Sequence, residues 1–112
     1  VWAVFQPFTY SRTKILMNDF VKALSIADIA VVTDIMGSRE KNTDGVYAEQ
    51  LAEKIPNAVW FKTDHELVDK QKEYNFSQCI DYIKKNCKEG DLVITLGCGD
   101  VYKLAKRLAK EL

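Results

Sequence analysis

The sequence lacks the features that mark several protein classes. Its three cysteines form no C-x-x-C pair and are odd in number, which argues against both a zinc cage and a disulfide framework. No apolar run approaches the roughly 20 residues that cross a bilayer, and the first residues lack the basic-then-apolar layout of a secretory signal. We therefore expect no membrane partner and a reducing, cytoplasmic location.

The chain also lacks an excess of charge of either sign. Sixteen Lys and Arg residues balance sixteen Asp and Glu residues, so the formal net charge is zero. Because nucleic-acid binding usually draws on a surplus of positive charge that displaces counterions, we expect no nucleic-acid partner. What the 112 residues do contain, 47% apolar and 29% charged side chains, is the composition of one globular domain with a real core.

Short apolar runs alternate along the chain with segments of helical spacing. The runs are residues 1–5, 29–33, 58–61 and 92–96, and each is nearly continuous in aliphatic and aromatic side chains. Such runs are typical of parallel strands that are covered on both faces. Between and after them, apolar residues recur at the i, i+3, i+4 and i+7 positions of a helix. The order predicts a single α/β domain with an open, mostly parallel sheet and helices on both faces.

Four loops follow the predicted strands and form the candidate binding edge, because ligands of open α/β sheets bind beyond the carboxyl ends of the strands. These loops are residues 6–13, 34–45, 62–75 and 97–100. The third loop is rich in charge, and within it we expect a short extra helix around residues 66–72.

Two cations stand where the first helix begins. We expect Ser11 to cap this helix, which places Arg12 and Lys14 in or beside its first turn. The helix dipole disfavours positive charge there by about 0.3–1 kcal/mol for each cation. One interpretation is an anion held jointly by the free backbone N–H groups and the Arg12 guanidinium. The other is that both side chains turn to solvent or pair with a carboxylate such as Asp19.

The last strand-to-helix turn reads Gly97-Cys98-Gly99-Asp100. Glycines at such a place let the backbone come close to a ligand and expose N–H donors, as in nucleotide-binding turns. The third glycine of a G-x-G-x-x-G fingerprint is absent, because Tyr102 stands in its place. A tight turn capped by Asp100 is therefore the simpler interpretation.

Catalytic side chains and metal ligands are scarce. Cys98 has no identifiable histidine partner, and the single histidine, His65, lies in a polar loop between Asp64 and Glu66. Neighbouring side chains of this kind do not converge on a metal ion. The phosphate-binding motif G-x-x-x-x-G-K-[ST] is absent as well. We expect no metal site in this chain, no catalytic residue that can be named, and no grip on ATP by this chain alone.

Three groups of residues together resemble the carboxyl-terminal domain of the Mur ligases, in the branch that adds L-alanine. They are Phe5-Gln6-Pro7 with Tyr10-Ser11-Arg12-Thr13, Thr33-Asp34-Ile35 with residues 39–43, and residues 93–103 around the glycine turn. The resemblance runs nearly from end to end. It implies that residues 1–112 are a Rossmann-like third domain, whose partners in the same polypeptide, a UDP-sugar domain and a central ATP-binding domain, lie outside this chain.

The resemblance also implies an activity and a site. ATP with Mg²⁺, bound mainly by the central domain, would phosphorylate the lactyl carboxylate of UDP-N-acetylmuramate. The amine of L-alanine would then attack the acyl phosphate, releasing ADP and phosphate. This domain would close over the reactants with Arg12 as an anion clamp, and it would be inactive alone. The implied substrate-binding residues are Gln6, Tyr10, Arg12, Thr13, Gly97 and Gly99.

Two positions depart from the family pattern. Phe8 and Thr9 stand where the family usually has His and often has Arg, so a hydrogen-bond donor and a charge are missing. Two alternatives stay open at this point. One is the related ligase that recycles murein tripeptide onto UDP-N-acetylmuramate. The other is a freestanding, non-catalytic α/β module that binds an anion or a nucleotide.

Overall fold

The computed structural model describes residues 1–36, 41–62, 66–68, 71–73, 76–97 and 100–111. Strands and helices alternate in the predicted order, and each of the four predicted strands is found within one residue of its expected ends. No helix among the described residues is long and apolar enough to cross a membrane. The elements are β1 (Trp2–Phe5), α1 (Tyr10–Leu24), β2 (Ile29–Val32), α2 (Ala48–Glu53), β3 (Ala58–Trp60), β4 (Glu66–Val68), β5 (Gln71–Glu73), α3 (Ser77–Asn86), β6 (Val93–Leu96) and α4 (Val101–Glu111).

The main sheet has four strands in the order β3-β2-β1-β6, and all its pairings are parallel. The chain moves outward from β1 to β2 and β3, and then crosses back to add β6 on the other side of β1. All four carboxyl ends therefore lie at one edge. Between β1 and β6 the chain changes direction across the sheet, which makes the space beyond their ends a topological switch point of the kind where ligands bind.

Helices cover both faces of this sheet, as predicted. On one face, Leu24 of α1 and Leu51 of α2 belong to a core that includes Val32 of β2. On the other face, Ile80 of α3 and Leu104 of α4 belong to a second core. Alternate residues of a strand point to opposite faces, so the continuous apolar runs of β1 and β2 supply both cores. The α/β class and the Rossmann-like architecture are confirmed.

β6 departs from the prediction that every strand is covered on both faces. Its register pairs Ile94 with Ala3 and Leu96 with Phe5, so these two side chains lie on the α1 and α2 face of the sheet. There Ile94 is 39% exposed and Leu96 is 42% exposed. The reason is position, because β6 is at the edge of the sheet and the described helices leave that face of it open.

The extra helix expected around residues 66–72 is wrong. The described parts of this segment form an antiparallel pair, β4 with β5, in the register Glu66↔Glu73 and Val68↔Gln71. The segment has no apolar stripe at helical spacing that a helix could bury against the domain. A hairpin needs no such stripe to satisfy backbone hydrogen bonds, because its two strands pair with each other.

Candidate functional site

The loops that leave β1 and β2 are joined by backbone contacts at the carboxyl edge of the sheet. Met36 N donates to the Pro7 carbonyl at 2.8 Å, and Thr9 N donates to the Met36 carbonyl at 2.8 Å. An isolated parallel bridge between Phe8 and Met36 lies between these two bonds. The loop of residues 6–9 therefore has a fixed course, and it delivers the chain to the start of α1 in a defined position.

α1 begins at Tyr10 and its N-cap is Thr9, so the expectation that Ser11 caps this helix is wrong. The Thr9 hydroxyl accepts from Arg12 N at 3.4 Å. Thr13 is fully buried, and its hydroxyl donates to the Thr9 carbonyl at 2.7 Å. A cap residue has non-helical backbone, and the contacts with the β2 loop place that change of direction at Thr9, whereas Ser11 is already helical.

Thr9 has a φ of 59° and a ψ of 148°. A β-branched residue with positive φ is a backbone outlier, and such conformations cost about 1–3 kcal/mol. Thr9 is held there at both ends, because its N–H is bonded to Met36 and its carbonyl accepts both the N–H and the hydroxyl of Thr13. The strain is therefore located at the entrance to α1, beside Arg12.

The two cations at the start of α1 have different surroundings. Lys14 Nζ lies 3.4 Å from Asp44 Oδ2, and both side chains are 59% exposed. Arg12 is exposed, and its guanidinium carbon lies 5.6 Å from the centre of the Phe8 ring. No carboxylate in the described ranges forms an ion pair with Arg12. Pairing with a carboxylate therefore explains Lys14, whereas Arg12 has no such partner among the described residues.

Gln6 connects the end of β1 to the start of α4. Its side chain is 1% exposed, and its Oε1 accepts from Val101 N at 3.1 Å. Its backbone N–H donates to the Leu96 carbonyl at 3.0 Å, which continues the pairing of β1 with β6. Its Nε2 is buried and has no hydrogen-bond partner within the described part of the chain.

Gly97 lies against Gln6 across the switch point. A Cβ at position 97 would come within 3.0 Å of the Gln6 carbonyl oxygen and 3.0 Å of Val101 Cγ1. Its φ of 158° is one that other residues rarely adopt. Only glycine allows the end of β6, the end of β1 and the start of α4 to approach this closely. The structure thus brings Gly97 to Gln6, while Gly99 lies outside the described residues.

Several other residues that the sequence singled out also lie outside the described residues. Cys98, Asp64 and His65 belong to this group, as does Arg39 of the β2 loop. Asp100 is described and directly precedes α4, where its carbonyl accepts from Lys103 N at 2.9 Å.

A cleft lies beside the start of α1, and its lining includes Tyr10 and part of the loop of residues 34–45, which the sequence placed at the candidate binding edge. Its volume is about 140 Å³, and it is lined by Tyr10, Asp34, Ile35, Asn42, Val46, Tyr47 and Ala48. Asp34 follows β2, and its Oδ1 accepts from Trp60 Nε1 at 2.9 Å. The Asn42 side chain is bonded to both the N–H and the carbonyl of Val46, at 2.8 and 2.9 Å, which shapes one wall. In the sequence, the signal for this cleft was an aspartate two residues after the end of a parallel strand.

The arrangement suits the binding of an anion. A guanidinium and the first N–H groups of α1 lie together at the carboxyl edge, and both attract negative charge. The described residues contain no group of three or more His, Cys, Asp or Glu side chains that could hold a metal ion.

No protein-family model matches the chain, but curated proteins match it along nearly its whole length. The UDP-N-acetylmuramate–L-alanine ligase of Acetivibrio thermocellus is 39% identical over 115 residues, covering 99% of this chain and 22% of that ligase. The ligase of the same name from Lachnospira eligens is 45% identical over 112 residues, covering 98% and 22%. That of Caldicellulosiruptor saccharolyticus is 43% identical over 103 residues, covering 92% and 21%. The chain thus spans about a fifth of the length of these relatives.

Proposed function

Because the chain belongs to the family of UDP-N-acetylmuramate–L-alanine ligases and matches about a fifth of their length, we propose that it is the carboxyl-terminal domain of such a ligase. Under this proposal a UDP-sugar domain and a central ATP-binding domain belong to the same polypeptide outside this chain, and the whole enzyme works in the cytoplasm. On the family resemblance, ATP and Mg²⁺ are assigned mainly to the central domain.

The proposed reaction forms one amide bond at the expense of ATP. The γ-phosphoryl group passes to the lactyl carboxylate of UDP-N-acetylmuramate, which gives an acyl phosphate and ADP. The amine of L-alanine attacks the acyl carbon, a tetrahedral oxyanion forms, and phosphate leaves as the amine loses a proton. Each of these species carries negative charge on oxygen, so the site needs cations and N–H donors that are already in place.

Arg12 is the residue that carries the proposal. Its side chain is exposed at the start of α1 and has no ionic partner among the described residues. Its guanidinium carbon lies 5.6 Å from the centre of the Phe8 ring. A cation near an aromatic face gains about 0.5–1 kcal/mol at an exposed site, so Phe8 favours one position of the guanidinium. Phe8 thus acts in place of the histidine usual in the family as a support for Arg12, without replacing its hydrogen bond.

The other predicted site residues support this clamp. Thr13 fixes the first turn of α1, because its hydroxyl donates to the Thr9 carbonyl. Tyr10 lines the neighbouring cleft. Gln6 and Gly97 hold the β6–α4 turn against β1. In the proposed enzyme this domain closes over the acyl phosphate and excludes water from it. Gly99 belongs to the proposal through the family resemblance alone.

The proposal is tested by replacing Arg12 in the full-length ligase. We expect Arg12→Ala to lower kcat/KM about 100-fold or more, the range for a lost group that stabilises an oxyanion. Lys14→Ala is the matched control, since it removes a cation from the same helix start that already pairs with Asp44. We expect this control to stay within a factor of three of the wild type. Wild-type rates for Arg12→Ala, or equal losses in both variants, would remove Arg12 from the site.

Two other functions predict different observations. A tripeptide-recycling ligase would prefer murein tripeptide when it competes with L-alanine for UDP-N-acetylmuramate. A freestanding module would have no upstream coding sequence for a phosphate-binding loop, and it would bind phosphate or nucleotide without forming an amide. The level of identity to L-alanine ligases, 36–45% among eight relatives, favours the first proposal.

A further inference from the structure

One strip of the main sheet is left uncovered beside α1. Leu92, Ile94 and Leu96 alternate along β6 and the residue before it, so all three side chains lie on the α1 and α2 face of the sheet. They are 56%, 39% and 42% exposed. On the opposite face, Val93 packs against the core under α3 and α4. β6 is thus covered on one face only, although the strands of an all-parallel sheet are normally covered on both.

α1 turns an apolar flank toward this strip. Met17 lies on the flank that faces α2, because Lys54 Nζ at the end of α2 is 3.6 Å from Met17 Sδ. Leu16 and Phe20, one helical turn apart, are half-buried toward the other side, and the Phe20 ring centre lies 4.8 Å from that of Phe5 in β1. We call the surface made by these side chains and β6 the open face, and its members are Phe5, Leu16, Phe20, Ile94 and Leu96.

The connections of the sheet show which face a further crossover helix takes. The steps from β1 to β2 and from β2 to β3 both lead away from β6, and their helices, α1 and α2, lie on the side of the open face. The step from β3 to β6 leads in the opposite direction, and α3 lies on the other side. This is the rule for right-handed crossovers. A strand outside β6 that led into β1 would move in the same direction as the step from β1 to β2, so its crossover helix would lie on the open face.

The outer edge of β6 has the backbone groups that such a strand needs. Gln6 N donates to the Leu96 carbonyl, so Leu96 directs its backbone groups toward β1. Successive residues of a strand direct these groups to opposite sides, and Val93 and Thr95 therefore direct theirs to the outer edge. That edge has no neighbour in the described sheet, whereas natural proteins usually cover or block such edges.

We propose that the open face and the outer edge of β6 are the docking surface for a strand-and-helix unit of the same polypeptide, from the part of the ligase that precedes Val1. The strand pairs in parallel with β6, and the apolar side of the helix lies on the open face. The inference rests on the proposed function, and it adds what this surface binds.

The length of the relatives and the handedness of the sheet favour this occupant. The chain covers only 22% of the Acetivibrio thermocellus ligase, so a ligase of that length has ample chain for the unit. A second copy paired through β6 would extend the sheet, but it would leave both open faces without a helix. The unit we propose covers the edge and the face together.

Amide hydrogen exchange of the full-length ligase, resolved to single residues, tests the strand. The Ile94 amide faces β1 and is the internal reference for a paired amide of β6. We expect the Val93 and Thr95 amides to exchange within about tenfold of the Ile94 rate, because a neighbouring strand accepts their hydrogens. Exchange of both amides within about threefold of the rate for an unprotected peptide would overturn the inference. Protection that is lost when the ligase is diluted would assign the edge to a second copy and would overturn it as well.

A charge on the open face tests the helix. We expect Ile94→Lys to lower the Tm of the full-length ligase by about 4 °C or more, because the lysine would be buried under the docked helix. Ile26→Lys is the matched control, since Ile26 is 86% exposed in the turn after α1, and we expect it to leave the Tm unchanged. Equal Tm values for the two variants would contradict the docking of a helix.

The exchange measurement uses only the wild-type ligase, so it decides the question even if Ile94→Lys does not fold. Failure of the inference is also distinct from failure of the proposed function. A ligase that joins L-alanine to UDP-N-acetylmuramate while the Val93 and Thr95 amides exchange freely would overturn the docking surface alone. Protected amides in a protein that does not form this amide bond would support the docking surface and overturn the proposed function.

Discussion

Burial sets the acid–base behaviour of Cys79, which lies in the core between α3 and the sheet. Loss of solvation, and then the charge of Asp34, raise the pKa of its thiol from 9.0 to about 12. The thiol of the unfolded chain keeps its ordinary pKa, so above about pH 9 the unfolded chain holds fewer protons than the folded one. The stability that the neutral thiol contributes is therefore complete below pH 9 and is lost progressively as the pH rises toward 12.

This behaviour predicts a stability difference that a single substitution removes. Between pH 9 and pH 10 the free energy of unfolding of the wild type should fall by about 1 kcal/mol more than that of Cys79→Ala. Urea denaturation of both proteins at the two pH values measures it, and the subtraction cancels all other titrating groups. Equal pH dependence in the two proteins would show that the thiol ionises alike in both states.

At the scale of one element, the start of α1 combines a helix cap with a strained backbone. Thr9 supplies the capping hydroxyl to Arg12 N, but it does so at a φ of 59°. We expect Thr9→Ala to lower the free energy of unfolding by about 1 kcal/mol, because it loses the cap and keeps the strain. Thr9→Gly loses the same cap but relieves the strain. We therefore expect the free energy of unfolding of Thr9→Gly to be about 1–2 kcal/mol higher than that of Thr9→Ala.

The control for Thr9 is the N-cap of α2. Tyr47 has an extended φ of −131° and makes no capping bond through its side chain. Thermal unfolding of Thr9→Ala, Thr9→Gly, Tyr47→Ala and Tyr47→Gly tests this. We expect the stability difference between the glycine and the alanine variant to be smaller at position 47 than at position 9. A difference as large at Tyr47 as at Thr9 would assign the effect to capping in general and not to the positive φ.

Strands and helices were predictable from the sequence where a local pattern of apolar residues determines them. Val4 and Val31 are fully buried, as expected for continuous apolar strands, and Leu51 and Leu104 lie on the predicted helix faces. The start of α1 was not predictable, because the cap at Thr9 depends on a contact with Met36, far along the chain. Local periodicity carries no information about such a contact.

The candidate site was predictable in part for the same reason. Two cations at a helix start are visible in the sequence, but the pairing of Lys14 with Asp44, a residue of a distant loop, is visible only in the structure. The hydrogen bond that Gln6 Oε1 accepts from Val101 N joins two residues that are far apart in the chain. The family resemblance pointed to Gln6, whereas only the packed structure shows that its Oε1 accepts from the start of α4.

At the scale of the whole molecule, the exposed apolar residues of β6 favour association between molecules. Ile94 and Leu96 lie in β6 and Leu92 directly precedes it, and all three are between 39% and 56% exposed. The outer edge of β6 has no neighbour in the described sheet. Apolar edge strands pair with one another between molecules. We therefore expect the 112-residue chain to self-associate as its concentration rises, which light scattering detects.

A charge on this edge should reduce the self-association. We expect Ile94→Lys to lower the scattering of concentrated solutions, because a lysine on an edge strand opposes pairing between molecules. Asn18→Lys adds the same charge on the exposed side of α1 and is expected to scatter like the wild type. Equal solubilisation by both variants would assign the effect to net charge alone.

The pairing of β1 with β6 also has a consequence for the order of folding. Trp2 lies beside Val93 and Phe5 beside Leu96, so the first strand of this sheet pairs with the last, and the sheet is complete only when β6 has joined. Until then β1 is an edge strand of the sheet, and the backbone groups that it later pairs with β6 have no partner strand. Loop closure over some ninety residues slows this final step relative to the local strand pairs. The nascent chain is therefore most vulnerable to aggregation and proteolysis just before β6 emerges.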